Sequence, residues 1–344
     1  MTSRRFVTGV AGPTLSAAER AFLRGARPWG LIIFSRNISS PDQLIELVES
    51  FRDCVGWQAP VFVDQEGGRV QRLAPPYWPA YPAGARYGTL YDRDGSGALA
   101  IARLAGRLIA ADLHAVGIDV NCLPVADIPA AGSDPVIGDR AYGSDPDKVA
   151  AIAAALAEGL MAGGVLPVLK HLPGHGRATV DSHRGLPVVD APRAALEATD
   201  FAAFRPLAGL PLGMTAHVVF SALDPVAPAT TSVTMVRDVI RGFIGFRGLL
   251  MTDDISMGAL SGTIGARAKA ALAAGCDIVL HCNGDLREMS ELAEAVPVLA
   301  GESAIRAEAA LARRRAPEAF DADAARRILA QALADARPNA GMSS

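Results

Sequence analysis

Three features of the sequence predict an α/β fold, a (β/α)8 TIM-type barrel in a single domain. Short runs rich in Val, Ile and Leu alternate with longer Ala-rich stretches of helical period, the pattern of βαβ units and a parallel sheet. The runs number eight, the strand count of the barrel. Polar residues that interrupt these runs fall at their C-terminal ends, where a barrel gathers its chemistry. With 344 residues, 50% of them hydrophobic and 20% charged, the chain can bury a large core. Two domains of about 150 residues would also fit the length, but no Ser/Gly- or Pro-rich linker divides the chain and no repeat of fixed period runs through it. One barrel domain is therefore expected over residues 1–337, followed by a small polar tail, 338–344, expected to be disordered.

The elements follow in order. Strands are expected at residues 6–9, 30–34, 61–64, 118–121, 168–170, 212–215, 248–252 and 277–281, each a short apolar run bounded by turn or polar residues. Helices are expected between them at about 16–27, 41–52, 97–116, 146–163, 191–205, 232–241, 265–275 and 286–295, where apolar residues recur with helical spacing. Two Ala/Arg-rich helices, broken at Pro317, close the chain. The stretch 73–84, with Pro75, Pro76, Pro79 and Pro82, reads as a loop after the third strand and is expected on the catalytic face. An open doubly wound sheet would also place its site at strand ends, but no GxGxxG turn follows any strand.

Composition narrows the function. The 33 basic and 36 acidic residues leave a net charge of −3, and the basic ones are scattered along the chain, which gives no reason to expect a nucleic-acid partner. Only three lysines occur, Lys148, Lys170 and Lys269. The four cysteines, Cys54, Cys122, Cys276 and Cys282, show no CxxC spacing, so buried thiols are expected rather than a disulfide framework. No apolar stretch of signal-peptide length follows Arg4 and Arg5, and no run of about 18 apolar residues occurs; a cytoplasmic protein without a membrane partner is expected. The sequence does not set the oligomeric state, for which a monomer is favoured.

Three histidines fall in Lys170-His171-Leu172-Pro173-Gly174-His175-Gly176 and the following Asp181-Ser182-His183. Pro173 and Gly174 exclude a helix there, so the histidines lie on a strand end and its loop and cannot form a helical i, i+4 metal face. A metal-dependent barrel hydrolase using His171, His175 and His183 is the competing reading; the preferred one has no metal and no cofactor. Asp181 and His183, two apart on a loop, can pair carboxylate with imidazole, which sets the tautomer and raises the ring's basicity for general acid/base work. In Met251-Thr252-Asp253-Asp254-Ile255, neighbours on a strand point to opposite sides, so one carboxylate faces the mouth. Asp253 is assigned there and Asp254 to capping of the next helix. A carboxylate so placed can attack an anomeric carbon. The segment Asp64-Gln65-Glu66-Gly67-Gly68-Arg69-Val70-Gln71-Arg72 offers acceptors and guanidinium donors around a tight turn, or only a salt-bridged turn; Asp139-Arg140 could likewise be a local ion pair.

Together, the segment Asp64 to Arg72, Gly138-Asp139-Arg140, Lys170 to Gly176, Asp181-Ser182-His183 and Thr252-Asp253-Asp254 resemble bacterial β-N-acetylhexosaminidases of glycoside hydrolase family 3. The resemblance spans roughly residues 5–300 and is to the short members with a single barrel. It implies a retaining exo-enzyme that removes terminal β-linked N-acetylglucosamine from muropeptide fragments during cell-wall recycling. It implies Asp253 as nucleophile, His183 as acid/base and Asp181 as its partner, with Asp64, Arg72, Arg140, Lys170 and His171 binding the sugar. Leu172 stands where the family more often has Phe, and the apolar positions of residues 121–127 vary; neither touches the chemistry. A neutral imidazole does not repel an anion, so a glycoside phosphorylase of the same family is a second alternative. A carbohydrate-binding protein without catalysis is a third, at odds with the joint presence of Asp181, His183 and Asp253. The loop bearing His183, to which Gly174 and Gly176 lend flexibility, is expected to close on substrate.

Overall fold

The eight apolar runs pair into one closed sheet in the computed structural model, which describes residues 3–335. The tail expected at 338–344 lies outside the described residues. The barrel strands are β1 (Arg4–Thr8), β2 (Pro28–Ile33), β3 (Val61–Val63), β4 (Val120–Asn121), β5 (Leu166–Leu172), β6 (Leu212–Thr215), β7 (Leu249–Asp254) and β8 (Ile278–His281). Every neighbouring pair is parallel, and β1 closes the ring by pairing Phe6 with Val279 of β8 on one side and Val7 with Gly30 of β2 on the other. Burial on both faces explains why the strands read as continuous apolar runs. Alternation then divides them into two layers. Val7, Ile32, Phe62, Val120, Val168, Met214, Met251 and Leu280 fill the barrel interior, while Leu31, Ile33, Val61, Val63 and Leu169 face the helices.

The helices are α1 (Ala17–Ala26), α2 (Pro41–Val55), α3 (Gly84–Tyr91), α4 (Gly95–Ala115), α5 (Pro146–Ala162), α6 (Arg193–Ala198), α7 (Ile264–Ala274), α8 (Leu286–Ala295), α9 (Gly301–Leu311) and α10 (Ala322–Asp335). Their starts are encoded locally. Ser16 and Glu19 form a reciprocal capping box on α1, and Ser40 caps α2 ahead of Pro41. Among the described residues no helix is long and apolar enough to cross a membrane.

Three expectations need correction. Helix α3 was not expected, because Gly84 and Gly88 weaken its pattern; a Cβ at Gly88 would sit 1.9 Å from the Tyr142 carbonyl oxygen, so close packing demands the glycine that propensity disfavours. The single helix expected at 191–205 ends at Ala198, and a 3-10 turn follows over Ala202–Leu207. Between them Thr199 and Asp200 receive Arg177, the latter at 2.6 Å. The helix expected at 232–241 is a π-helix over Met235–Phe243.

Two small sheets cap strand ends. Gln65–Gly67 pairs antiparallel with Val70–Gln71 just beyond β3, and Val188–Val189 pairs parallel with Val219–Phe220. After β5 the chain passes so close to Ile128 that a Cβ on Gly176 would lie 1.9 Å from its carbonyl oxygen. Gly176→Ala is therefore expected to destabilise the protein by about 1–3 kcal/mol through overpacking, read as a lowered midpoint in denaturant unfolding.

Candidate active site

The C-terminal ends of the strands surround a cavity of about 240 Å³. It is lined by Asp64, Arg72, Arg140, Lys170, His171, Asp181, His183 and Asp253, all eight residues assigned from sequence. Their convergence follows from the fold: Asp64 directly follows β3, Lys170 and His171 lie on β5, Asp253 ends β7, and Arg140 and the Asp181–His183 loop stand on connections after β4 and β5. The proline-rich stretch after the third strand contributes no residue to the cavity lining. It buries Trp78 and Tyr81, whose hydroxyl donates to Asp112 at 2.6 Å, and the preceding hairpin supplies the wall instead.

Charge organises one side. Lys170, with its side chain 3% exposed, donates to Asp64 Oδ1 at 2.9 Å and lies 2.6 Å from Glu66 Oε1. Arg72 adds a 3.3 Å contact to Asp64, and Arg140 clasps both oxygens of Glu66 at 2.8 Å. Burial pushes the Glu66 carboxyl up, but Arg140 and Lys170 outweigh it and hold it at about 2. Asp64 is likewise lowered, since Lys170 and Arg72 overcome its burial. Burial works against the Lys170 ammonium, and Asp64 and Glu66 reverse this and raise it above its ordinary value. Arg140 and Asp139 do not form a local ion pair; each reaches across to the hairpin, Arg140 to Glu66 and Asp139 to Arg69 at 3.0 Å.

A third carboxylate, Asp127, holds the histidines. Asp127 is fully buried, accepts from His171 Nδ1 at 2.6 Å, and takes the His175 amide on its other oxygen at 2.6 Å. His171 and His175 hold it ionised below its ordinary value against the cost of burial. With Nδ1 committed to Asp127, His171 keeps Nε2 for the cavity. Glu66 and Asp127 stood inside the quoted motifs but received no role from sequence. Asp127 ends an apolar run after a strand, the same signal that picked out Asp64.

The remaining groups come from the end of β7 and the loop after β5. Asp253 borders the cavity half-buried; desolvation raises its carboxyl, and nearby His171, His217 and the Asp254 amide prevail and keep it below its usual range. Asp254 also borders the cavity, so both carboxylates reach the mouth, because β7 ends there. Its oxygens are already used: they accept from Ser256 at 3.0 and 2.6 Å and from the Cys282 amide at 3.1 Å. Asp254 thus caps a turn and ties β7 to the end of β8, whereas Thr263 caps the next helix. On the loop after β5, Asp181 Oδ1 meets His183 Nδ1 at 2.8 Å and the His183 amide at 2.9 Å. Burial opposes the charge on Asp181, and His183 lowers its pKa nonetheless. This leaves His183 Nε2 free to exchange a proton at the cavity.

His217 and His281 do not line the cavity: His217 bridges Thr230 and the Asp254 carbonyl, and His281 pairs with Glu288. In His171, His175 and His183 one ring nitrogen each is engaged, by Asp127, Ser182 and Asp181 respectively. Among the described residues no group of three His, Cys, Asp or Glu is placed to hold a metal.

Residues 10–313 match the model of the glycosyl hydrolase family 3 N-terminal domain. The chain belongs to glycosyl hydrolase family 3. Among its family-3 relatives, a β-hexosaminidase of Alkalilimnicola ehrlichii is 42% identical over 279 residues, 80% of this chain and 79% of that one. A β-hexosaminidase of Aromatoleum aromaticum is 39% identical over 90% of this chain and 88% of its own. The crystal structure of NagZ from Neisseria gonorrhoeae in complex with N-trifluoroacetyl-D-glucosamine superposes with a TM-score of 0.84 at 32% identity, covering 98% of both chains.

In this family-3 barrel the Glu66 network makes a pH-dependent contribution to stability. A carboxyl held at about 2 against an ordinary 4.5 stabilises the fold fully above pH 4.5, and that contribution is lost as pH falls toward 2. Glu66→Gln is therefore expected to cost about 3–5 kcal/mol at pH 7, as for a buried pair broken on one side. The difference from wild type should narrow progressively between pH 4.5 and 2 in urea titrations; a constant difference would contradict the charge assignment.

Proposed function

We propose that this chain is a retaining exo-β-N-acetylglucosaminidase that removes terminal β-linked N-acetylglucosamine from peptidoglycan fragments. One observation carries the reading. The Asp253 carboxylate, kept ionised, shares a single cavity with an imidazole whose far nitrogen is held by Asp181. A nucleophile and a separate proton donor are the parts that double displacement at an anomeric carbon requires. The relatives named β-hexosaminidase, and the NagZ structure with an N-acylated glucosamine, support the sugar class. The muropeptide substrate and the role in cell-wall recycling follow from the family resemblance.

The cycle proceeds in two steps. Asp64, Arg72, Arg140, Lys170 and His171 hold the sugar by its hydroxyls, with Lys170 and Arg140 fixed by Asp64 and Glu66. An Asp253 oxygen bonds C1 as the bond from C1 to the aglycone oxygen breaks, and imidazolium His183 gives its Nε2 proton to that oxygen. Water then attacks C1, His183 takes a proton from it, and the bond to Asp253 breaks, releasing the sugar and restoring both groups. Asp181 stabilises the imidazolium and orients the ring throughout. The use of imidazole in place of a second carboxylate departs from the usual pair of carboxylates.

Hydrolysis of an aryl β-N-acetylglucosaminide tests the reading. Turnover is expected to be indifferent to chelator and to fall by roughly 10⁴-fold or more in Asp253→Asn. Products formed in phosphate buffer should be free sugar. Full activity in Asp253→Asn would remove the nucleophile assignment, loss with chelator would favour the metal reading, and a sugar 1-phosphate would make the enzyme a phosphorylase.

A further inference from the structure

We propose that His175 is a positioning residue which, through Ser182, pins the Asp181–His183 pair at the mouth of the cavity and joins it to the sugar-binding wall. The inference rests on the acid/base reading above. Ser182 lies between the two members of the pair, yet its surroundings differ from theirs: it is 3% exposed, while the His183 side chain is 68% exposed. A buried residue in the middle of an exposed segment is where that segment is held. The Ser182 hydroxyl lies 3.1 Å from His175 Nε2, and its carbonyl accepts from the Ala259 amide at 3.1 Å. Ala259 belongs to the loop after β7, the strand that ends in Asp253. One residue thus fastens the pair both to the β5 loop and to the loop of the nucleophile's strand.

His175 is itself held firmly. Its amide donates to Asp127 Oδ1 at 2.6 Å, and the other oxygen of Asp127 meets the ring of His171 at 2.6 Å. The two imidazoles stand edge to face with centroids 5.7 Å apart. Nδ1 of His175 is buried without a hydrogen-bond partner, so among the described residues Ser182 is the one side chain to which this ring hydrogen-bonds. Burial and the neighbouring His171 push it down to about 4, so the ring bonds Ser182 as a neutral group. Asp127 therefore sets two things at once: the tautomer of the cavity-facing His171, and the backbone position of the histidine that holds the acid/base pair. General acid catalysis requires hydrogen-bond reach to the departing oxygen. Releasing Ser182 should leave sugar binding and Asp253 intact and impair proton delivery.

Leaving groups separate these effects. kcat/KM is measured on two β-N-acetylglucosaminides, one with a dinitrophenyl group that departs without protonation and one with an alkyl group that needs it, and their ratio is compared among variants. The ratio is internal to each preparation, so a partly unfolded variant does not distort it. Ser182→Ala and His175→Phe should each raise the dinitrophenyl-to-alkyl ratio by about tenfold or more, and His183→Ala further still. The double variant should exceed neither single one, because both remove the same contact. If His183→Ala raises the ratio and both Ser182→Ala and His175→Phe leave it unchanged, the positioning role is overturned. If His183→Ala also leaves it unchanged, the acid/base reading beneath the proposal fails instead.

Discussion

A lysine buried at the mouth of a barrel obliges its neighbours to be charged. Removing an ammonium from water costs several kcal/mol, which only close, well-bonded anions offset. Lys170 meets two, Asp64 and Glu66, and each of these requires a cation of its own, Arg72 and Arg140. Three cations then face two carboxylates, and Asp253 brings the group to neutrality. Lys170, after His171, His217 and the Asp254 amide, is among the groups that lower the Asp253 carboxyl, so the interaction that fixes the proposed sugar-binding wall also contributes to keeping the proposed nucleophile ionised. The strands must end together for this to occur, which is what parallel closure of the barrel ensures.

The site is built in two grades of burial. Lys170 and His171 sit on β5 and are 2% and 6% exposed, and Asp253 is carried on the end of β7. The proposed acid/base pair instead rides on a loop, with His183 open to solvent. The division suits the chemistry. A nucleophile and its charge wall gain from a dry, fixed frame in which electrostatic interactions are strong, while a group that exchanges protons twice in each cycle, and admits both aglycone and water, needs access. Ser182 is where the two grades meet.

The architecture was legible because burial on both faces of each strand leaves apolar runs that stop abruptly, and all eight stops were visible. The same stops exposed Asp64, Lys170, His171 and Asp253. The motif around Asp181 and His183 was readable because the two are close in sequence. Glu66 and Asp127 took no role because their partners are remote: Arg140 lies 74 residues from Glu66, and His171 lies 44 from Asp127. A buried carboxylate declares itself only when its cation is seen beside it. Helix α3 escaped for a related reason, since its glycines answer to the backbone of Tyr142 rather than to helical propensity.

A covalent intermediate on Asp253 is the claim on which the chemistry stands. Trapping tests it: the protein is incubated with a 5-fluoro N-acetylglucosaminyl fluoride, which slows deglycosylation, and is then digested and mapped by mass spectrometry. One sugar per chain, attached to the peptide that contains Asp253 and absent from Asp253→Asn, is the expected result. A label on a different carboxylate, or unlabelled protein that nonetheless cleaves β-N-acetylglucosaminides, would contradict it.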